Sequence, residues 1–243
     1  MSVREAFDEW AERGRDREME GRHWHTAKHV LARMPVEPGD VVADLGTGSG
    51  YAARALAGAG GAGRAYGIDA SVEMVRNARS YTESTAVAGL PDGADPDAAT
   101  SGEVGFLAGD FGRLPFGDGT IDHAFSMEAF YYAADPRATL EEVRRVLRSG
   151  GTFFCAVNYY EENHYSHDWP GMVGVEMTRW DRGEYRRAFH EAGFHVAEQD
   201  QVPDLETEIP PADAFPTDAY ETREAMVERY RELGTLLTVG VVP

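Results

Sequence analysis

The chain is nearly free of cysteine and lysine. Among its 243 residues, Cys155 is the single cysteine and Lys28 is the single lysine, and the formal net charge is -19. One cysteine excludes an intramolecular disulfide, and its place in the apolar run Gly151–Val157 predicts a small core residue rather than a nucleophile. The excess of acidic over basic residues, 42 against 23, disfavours stand-alone binding to the phosphates of a nucleic acid at ordinary salt.

Long hydrophobic runs are also missing. No apolar stretch approaches the ~20 residues that span a bilayer, and no secretory leader pattern is present, so we expect a cytoplasmic protein without a membrane partner. The acidic, lysine-poor composition favours a halophilic protein that stays soluble at high salt, where screening weakens self-repulsion. A generally acidic cytosolic protein is the alternative.

The length predicts one domain over residues 1–243 rather than two. Its expected parts are a helical cap over 1–37, a ligand-binding core over 38–158, and loops, helices and last strands over 159–243. In the cap, we expect one helix over 3–20 and another from Trp24 to Met34. His25 and His29 lie four residues apart on one helical face, but no third ligand follows, so no metal site is predicted.

The core begins with a strand, a glycine-rich turn and a helix, in the sequence VVADLGTGSGYAARAL from Val41 to Leu56. Such a turn brings the backbone close to a ligand at the N-terminus of the helix. Tyr51 stands where the dinucleotide fingerprint requires a small residue, and no Lys-Ser/Thr pair follows as in a P-loop. The turn therefore disfavours phosphate binding and an NAD-type oxidoreductase.

Acidic residues stand at the ends of the next two expected strands. Asp69 follows the strand Arg64–Ile68, where a carboxylate after a glycine turn favours a role in holding ribose hydroxyls; a helix cap is the alternative. Asp110 and Phe111 follow the strand Val104–Ala108. That pair suits an adenine, because the carboxylate accepts from the exocyclic amine and the ring packs on the base.

Five successive strand and helix units predict a parallel, doubly wound sheet. The fourth strand is expected at Ile121–Met127 and the fifth at Gly151–Val157. Ligands bind at the carboxyl ends of the strands in such sheets, which is where the acidic and glycine motifs lie. Residues 82–103 lack periodicity and are either a mobile segment or a binding feature.

Taken in order, these motifs resemble those of the class I S-adenosylmethionine-dependent methyltransferases over residues 38–158. ADLGTGSG resembles their first motif, GID their second-strand acid, GDF their adenine motif, and LRSGGTFF their approach to the fifth strand. The resemblance implies a Rossmann-like α/β fold with a mainly parallel seven-stranded sheet, N-terminal helices and an insertion before the last strand. Leu236–Val242 is the candidate for the antiparallel seventh strand.

The resemblance also implies the cofactor, S-adenosyl-L-methionine. By that resemblance Asp44 and the glycine turn border the methionine part, Asp69 holds the ribose, and Met127 lies near the sulfonium. Thr47 departs from the cysteine or alanine that the family carries in the turn. The implied cofactor-binding residues are Asp44, Gly46, Thr47, Gly48, Gly50, Asp69, Ala70, Asp110, Phe111 and Met127.

The methyl acceptor is the least defined part of the prediction. The candidate catalytic residues are Glu128, Tyr131 and His164. SMEAFYY stands where amino-group methylases carry Asn/Asp-Pro-Pro-Tyr/Phe, which counts against adenine N6 and glutamine amides as acceptors. The insertion 203–233 is either a lid over the acceptor site or a solvated decoration.

The family also includes tRNA and rRNA methyltransferases that act with a small zinc-binding activator protein. In those enzymes the third strand is the sheet edge that pairs with the partner, so Val104–Ala108 is the predicted partner strand. The predicted function is methyl transfer to tRNA, rRNA or a translation protein together with such an activator. The alternatives are a small-molecule methyltransferase that acts alone and a non-catalytic module that binds the cofactor.

Overall fold

A computed structural model describes residues 1–84 and 102–243. Its strands are β1 (Val41–Leu45), β2 (Arg64–Asp69), β3 (Glu103–Ala108), β4 (Ile121–Met127), β5 (Leu147–Val157), β6 (His195–Val202) and β7 (Thr235–Val241). Its α-helices are α1 (Val3–Glu12), α2 (Arg15–Leu31), α3 (Tyr51–Ala57), α4 (Val72–Ser84), α5 (Pro136–Val146), α6 (Trp169–Val173), α7 (Arg182–Glu191) and α8 (Arg223–Val227). A π-helical segment, Glu228–Leu233, follows α8.

The strands form one seven-stranded sheet in the order β3-β2-β1-β4-β5-β7-β6. Strands β1 to β5 pair in parallel, and β7 runs antiparallel to both β5 and β6. This architecture confirms the predicted α/β fold, the antiparallel seventh strand and the position of the third strand at a sheet edge. Because the parallel strands end in register, with Met127 opposite Ala156 for example, the loops that follow them converge on one side.

The central strands are apolar almost throughout because both faces of the sheet are covered by helices. On one face, Phe153 of β5 stacks on Phe189 of α7 with ring centroids 5.5 Å apart. On the other face, Val30 of α2 and Leu56 of α3 pack in a cluster with Phe125 of β4. Cys155 is buried in the first of these clusters, as the sequence predicted.

The predicted N-terminal helix boundaries were wrong. The structure has helices Val3–Glu12 and Arg15–Leu31, which replace the expected helices over 3–20 and 24–34. Gly14 lies between them with φ +72°, a left-handed conformation that ends one helix and starts the next. Strand β5 likewise begins at Leu147 instead of Gly151, because residues before the double glycine already extend the strand.

Residues 85–101, most of the segment 82–103 for which a mobile or binding role was predicted, lie outside the described residues. Residues 82–84 belong to α4. Within the ranges 1–84 and 102–243, no helix is long and apolar enough to cross a membrane. In the same ranges, no group of three or more histidine, cysteine, aspartate or glutamate side chains could hold a metal ion.

Candidate functional site

A cavity of about 1070 Å³ lies at the carboxyl ends of β1 to β5. Its volume is slightly above the roughly 300–1,000 Å³ of typical small-molecule sites. The structure brings most of the predicted site residues to its wall: Gly46, Thr47, Gly48, Asp69, Ala70, Asp110, Phe111, Met127, Glu128 and Tyr131. Asp44 and Gly50 lie behind the wall, and His164 lies outside it on an exposed turn.

The N–H groups of the glycine turn are largely engaged within the protein. Those of Gly46 and Thr47 donate to the carbonyl oxygen of Ile68 at 2.8 and 3.0 Å. The N–H of Gly48 donates to Asp69 Oδ2 at 2.9 Å. These three amides therefore point toward β2 and do not form an anion nest, which agrees with the argument against phosphate binding.

Gly46 is the point of closest approach between the turn and the segment after β4. Its φ is +78°, and a Cβ atom at this position would lie 2.1 Å from Ala129 Cβ and 3.2 Å from the Phe111 ring. Only glycine fits such a space. Gly48 has φ +51°, but a Cβ there would meet no atom within 4 Å, so the space above it is open.

Asp44 stabilises the glycine turn from behind the cavity wall. Its carboxylate is buried and accepts a hydrogen bond from Thr47 Oγ1 at 2.6 Å. Burial raises the pKa of Asp44 to about 7, an effect that this hydrogen bond partly offsets. The hydroxyl of Thr47, the one departure from the family motif, thus gives the buried carboxyl a partner.

Asp69 joins the end of β2 to the turn and to α4. Its Oδ2 accepts from the Gly48 N–H and its Oδ1 from the Ser71 N–H, both at 2.9 Å. Burial raises the pKa of Asp69 to about 6. Each carboxylate oxygen can accept a second hydrogen bond, so the side chain keeps acceptor capacity toward the cavity.

Two further residues at the end of β3 complete this side of the cavity. The exposed Asp110 carboxylate accepts from the Gly112 N–H at 2.7 Å, which leaves its other oxygen available. Phe111 is partly buried and lines the cavity next to Gly46. A carboxylate and a ring therefore lie together where the sequence predicted an adenine site.

Glu128 is the most unusual residue of the cavity. It has φ +55°, the only non-glycine residue with positive φ among those described, and its side chain is 6 % exposed. Its Oε2 accepts from the Tyr131 hydroxyl at 3.1 Å. Burial raises the pKa of Glu128 to about 8, although the nearby Arg229 opposes the shift.

A family model described as a methyltransferase domain matches residues 43–155. A solved complex between the Haloferax volcanii Trm112 methyltransferase activator and a methyltransferase contains a chain that is 61% identical. The match covers 98% of this chain and 97% of that chain, with a TM-score of 0.87. This chain belongs to the class I S-adenosylmethionine-dependent methyltransferases.

The names of curated relatives of this methyltransferase indicate that they act on different molecules. Cycloartenol-C-24-methyltransferase 1 of Oryza sativa subsp. japonica is 31% identical over 70% of this chain and 48% of its own length. A ubiquinone/menaquinone biosynthesis C-methyltransferase of Caulobacter vibrioides is 33% identical over 55% of this chain and 49% of its own. The methyltransferase matches less than half the length of these relatives, so their acceptors do not carry over.

The two N-terminal helices, which the sequence predicted as a helical cap over 1–37, form the roof of the methyltransferase cavity. Asp8 of α1 accepts from Ser71 Oγ at 2.6 Å, and Phe7 packs edge-on against Tyr132 at 4.9 Å. Glu20 of α2 accepts from Ser49 Oγ at 2.7 Å within the glycine turn. The sequence predicted helices in this region but not the surface that they cover.

Residues from the C-terminal insertion also reach the methyltransferase cavity. Arg229 is 7 % exposed, and its guanidinium lies 5.9 Å from the Trp169 ring and 5.3 Å from the Tyr230 ring. Asp204 lines the cavity and accepts a hydrogen bond at 3.2 Å from His25, one of the two histidines considered for metal binding. The position of Arg229 could not be predicted, because a charged helix before the last strand is typical of a solvated surface.

We expect the substitution Glu128→Gln to stabilise the methyltransferase at high pH by about 2–4 kcal/mol. The folded pKa of about 8 lies above the ordinary value of 4.5, so folding disfavours the charged form of the carboxyl. This destabilisation is absent below the pKa of about 4.5 that the carboxyl has in the unfolded chain, and it reaches its full size above pH 8. Thermal unfolding near pH 5 and near pH 9 measures this difference, and a variant that is less stable than wild type at both would contradict it.

Proposed function

We propose that this methyltransferase binds S-adenosylmethionine over β1 to β4 and acts with a small activator protein bound at β3. The carrying observation is the 61% match, along nearly the whole chain, to the methyltransferase that was solved with the Trm112 activator. The acceptor proposed is a component of the translation machinery, a tRNA, an rRNA or a protein. The acidic composition, which favours work at high salt, fits a relative from Haloferax volcanii.

In this proposal Asp69 accepts hydrogen bonds from the ribose hydroxyls with the lone pairs that its backbone contacts leave free. Phe111 packs on the adenine, and Asp110 accepts from the exocyclic amine. The open space above Gly48 and the side chain of Met127 border the methionine part and the sulfonium. The engaged amides of the turn support a cofactor without phosphates.

S-adenosylmethionine supplies an activated methyl group when bound. The chain then has to bind the two reactants, orient them in line and exclude water. The roof of α1 and α2 and the residues of the insertion serve this purpose, because they close the cavity on the sides that the sheet leaves open.

The partner site proposed is the edge of β3 that no other strand of residues 1–84 and 102–243 covers. This strand pairs with β2 on one side, and a groove of about 310 Å³ lies beside it, lined by residues that include Tyr66, Val104 and Leu107. An exposed edge strand can take up a strand from another chain. A small zinc-binding activator that adds a strand there would cover this apolar edge.

The proposal predicts that Leu107→Lys removes activator binding. A charge in the edge groove has to be desolvated by the partner, and we expect roughly a tenfold or greater loss of affinity. Size-exclusion chromatography at high salt, with the Trm112 activator of Haloferax volcanii as the probe, measures the complex. Ala197→Lys on β6, the opposite edge of the sheet, is the matched control and should leave binding intact.

Wild-type chain that forms no complex with the activator would contradict the partner proposal and favour an enzyme that acts alone on small molecules. Equal losses in both lysine variants would also contradict it, because binding would then not depend on β3. Circular dichroism of both variants checks that each is folded before the comparison.

A further inference from the structure

Two buried oxygen atoms at the β4–β5 end of the cavity have no hydrogen-bond donor. These atoms are Glu128 Oε1 and Asn158 Oδ1, which have no partner within residues 1–84 and 102–243, although the Asn158 amide and backbone N–H lie close enough to the Glu128 carboxyl to lower its pKa. Glu128 follows β4 directly and Asn158 follows β5 directly, while Met127 and Ala156 are paired across those two parallel strands. The two side chains are therefore neighbours, and both residues line the cavity.

Buried acceptors without a partner destabilise a folded protein, so their presence calls for an explanation in function. Glu128 is held in a left-handed backbone conformation, which costs about 1–3 kcal/mol for a residue with a side chain. Its N–H donates to the carbonyl oxygen of Ala156 at 2.9 Å, which joins the residue to the end of β5. Strain and unpaired acceptors in one place are typical of a site that is complete only with a ligand.

We propose that the methyl acceptor is an amine, that Glu128 and Asn158 bind its nitrogen, and that this nitrogen is the atom that is methylated. This inference rests on the proposed function. An amine nitrogen carries enough hydrogens to donate to both oxygens, whereas an alcohol has a single hydrogen and would leave one of them unpaired. The carboxylate also compensates the charge of an ammonium group taken out of water.

The position of this pair separates it from the cofactor side. The glycine turn, Asp69 and Phe111 stand at the ends of β1, β2 and β3, and Glu128 and Asn158 stand at β4 and β5 on the other side of Met127. Arg229 is turned onto the rings of Trp169 and Tyr230 nearby. An aromatic wall beside the carboxylate suits an aminomethyl group carried on an aromatic or planar body.

The proposed methyl transfer conserves atoms and charge. The ammonium passes one proton to the Glu128 carboxylate, and the freed lone pair forms the bond to the methyl carbon. The methyl–sulfur bond breaks with its electron pair left on sulfur, which gives S-adenosylhomocysteine and a methylammonium product. Glu128 finally releases its proton to solvent.

The other titratable groups around Glu128 do not compete for this proton. Tyr51 of α3, Cys155 of β5 and Tyr185 of α7 are buried, and burial raises the pKa of each side chain, so they stay neutral. Burial also raises the pKa of Tyr131, which donates to the carboxylate. Arg229 is the remaining charged neighbour among the described residues that act on this group.

The test uses the full chain saturated with S-adenosylhomocysteine, with benzylamine as the probe and benzyl alcohol and benzoate as its neutral and anionic counterparts. Calorimetry near pH 7, in two buffers of different ionisation enthalpy, measures affinity and proton release together. We expect benzylamine to bind at least tenfold more tightly than either counterpart, with release of close to one proton from Glu128.

The variant Glu128→Gln is expected to lose benzylamine binding and proton release and to keep its affinity for S-adenosylhomocysteine. Asp135→Asn removes another carboxylate from the same cavity, keeps the helix cap of α5 and should change neither. Equal binding of the alcohol, preferential binding of benzoate at Arg229, or no binding of benzylamine would overturn the proposal. Failure of S-adenosylhomocysteine to bind at the outset, both to the chain alone and to the chain with the Trm112 activator, would instead contradict the proposed function.

Discussion

Replacing Gly46 with alanine is expected to destabilise the fold and abolish cofactor binding. The added methyl would lie 2.1 Å from Ala129 Cβ, so the turn and the segment after β4 have to separate. Overpacking of this kind and the positive φ each cost about 1–3 kcal/mol, which gives an expected loss of roughly 2–6 kcal/mol in the free energy of unfolding. Denaturant unfolding measures the stability, and calorimetric titration with S-adenosylhomocysteine measures the binding.

Substitutions at two other glycines distinguish backbone strain from steric overlap as the cause of this loss. Gly14 also has a positive φ and no neighbour within 4 Å of an added Cβ, so Gly14→Ala should cost the backbone strain alone and leave binding intact. Gly48→Ala should have a similar small effect on stability, but its methyl would enter the open space above the turn and weaken binding. If Gly46→Ala bound S-adenosylhomocysteine as tightly as the wild type does, this description of the turn would be wrong.

The substitution Asp69→Ala is expected to weaken S-adenosylmethionine binding by about 1–3 kcal/mol, which corresponds to roughly 5- to 150-fold. The change removes the proposed acceptor of the ribose hydroxyls and also the acceptor that holds the Gly48 N–H. Titration at high salt gives the dissociation constant for the variant and for wild type. Asp118→Ala, at an exposed surface carboxylate that pairs with Arg145, is the control and should bind as wild type.

Unchanged affinity in Asp69→Ala would remove this residue from the cofactor site. A loss of affinity that also appears in Asp118→Ala would point to net charge as its cause. Because burial raises the pKa of Asp69 to about 6, binding in wild type should also weaken as the pH falls below about 6. That pH dependence should be absent in the alanine variant.

The sheet could be predicted from the sequence because its signals are local. Each parallel strand is a short apolar run that ends in a turn with its own chemistry, as at Asp69 after β2 and Ser71, which caps α4 through the Met74 N–H at 3.0 Å. The order of these motifs along the chain then determined which strand ends meet. The residues that line the cavity at the ends of β1 to β3 followed from the same local signals.

The lining of the cavity beyond β4 could not be predicted in this way, because tertiary packing decides it. His164 follows β5 in the sequence as Asn158 does, yet its turn carries it to the surface. Arg229 comes from the π-helical segment after α8, about seventy residues beyond β5, and reaches the cavity only through the fold of the insertion. The unpaired oxygen of Glu128 is likewise visible only when its neighbours are in place.

The most direct test of the central claim is calorimetric titration of the purified chain with S-adenosylmethionine and S-adenosylhomocysteine at high salt, alone and with the Trm112 activator. We expect both ligands to bind at one site per chain, either to the chain alone or to the complex, and NAD not to bind. Absence of binding by both ligands in both states, or preferential binding of NAD, would contradict the assignment of this cavity to S-adenosylmethionine.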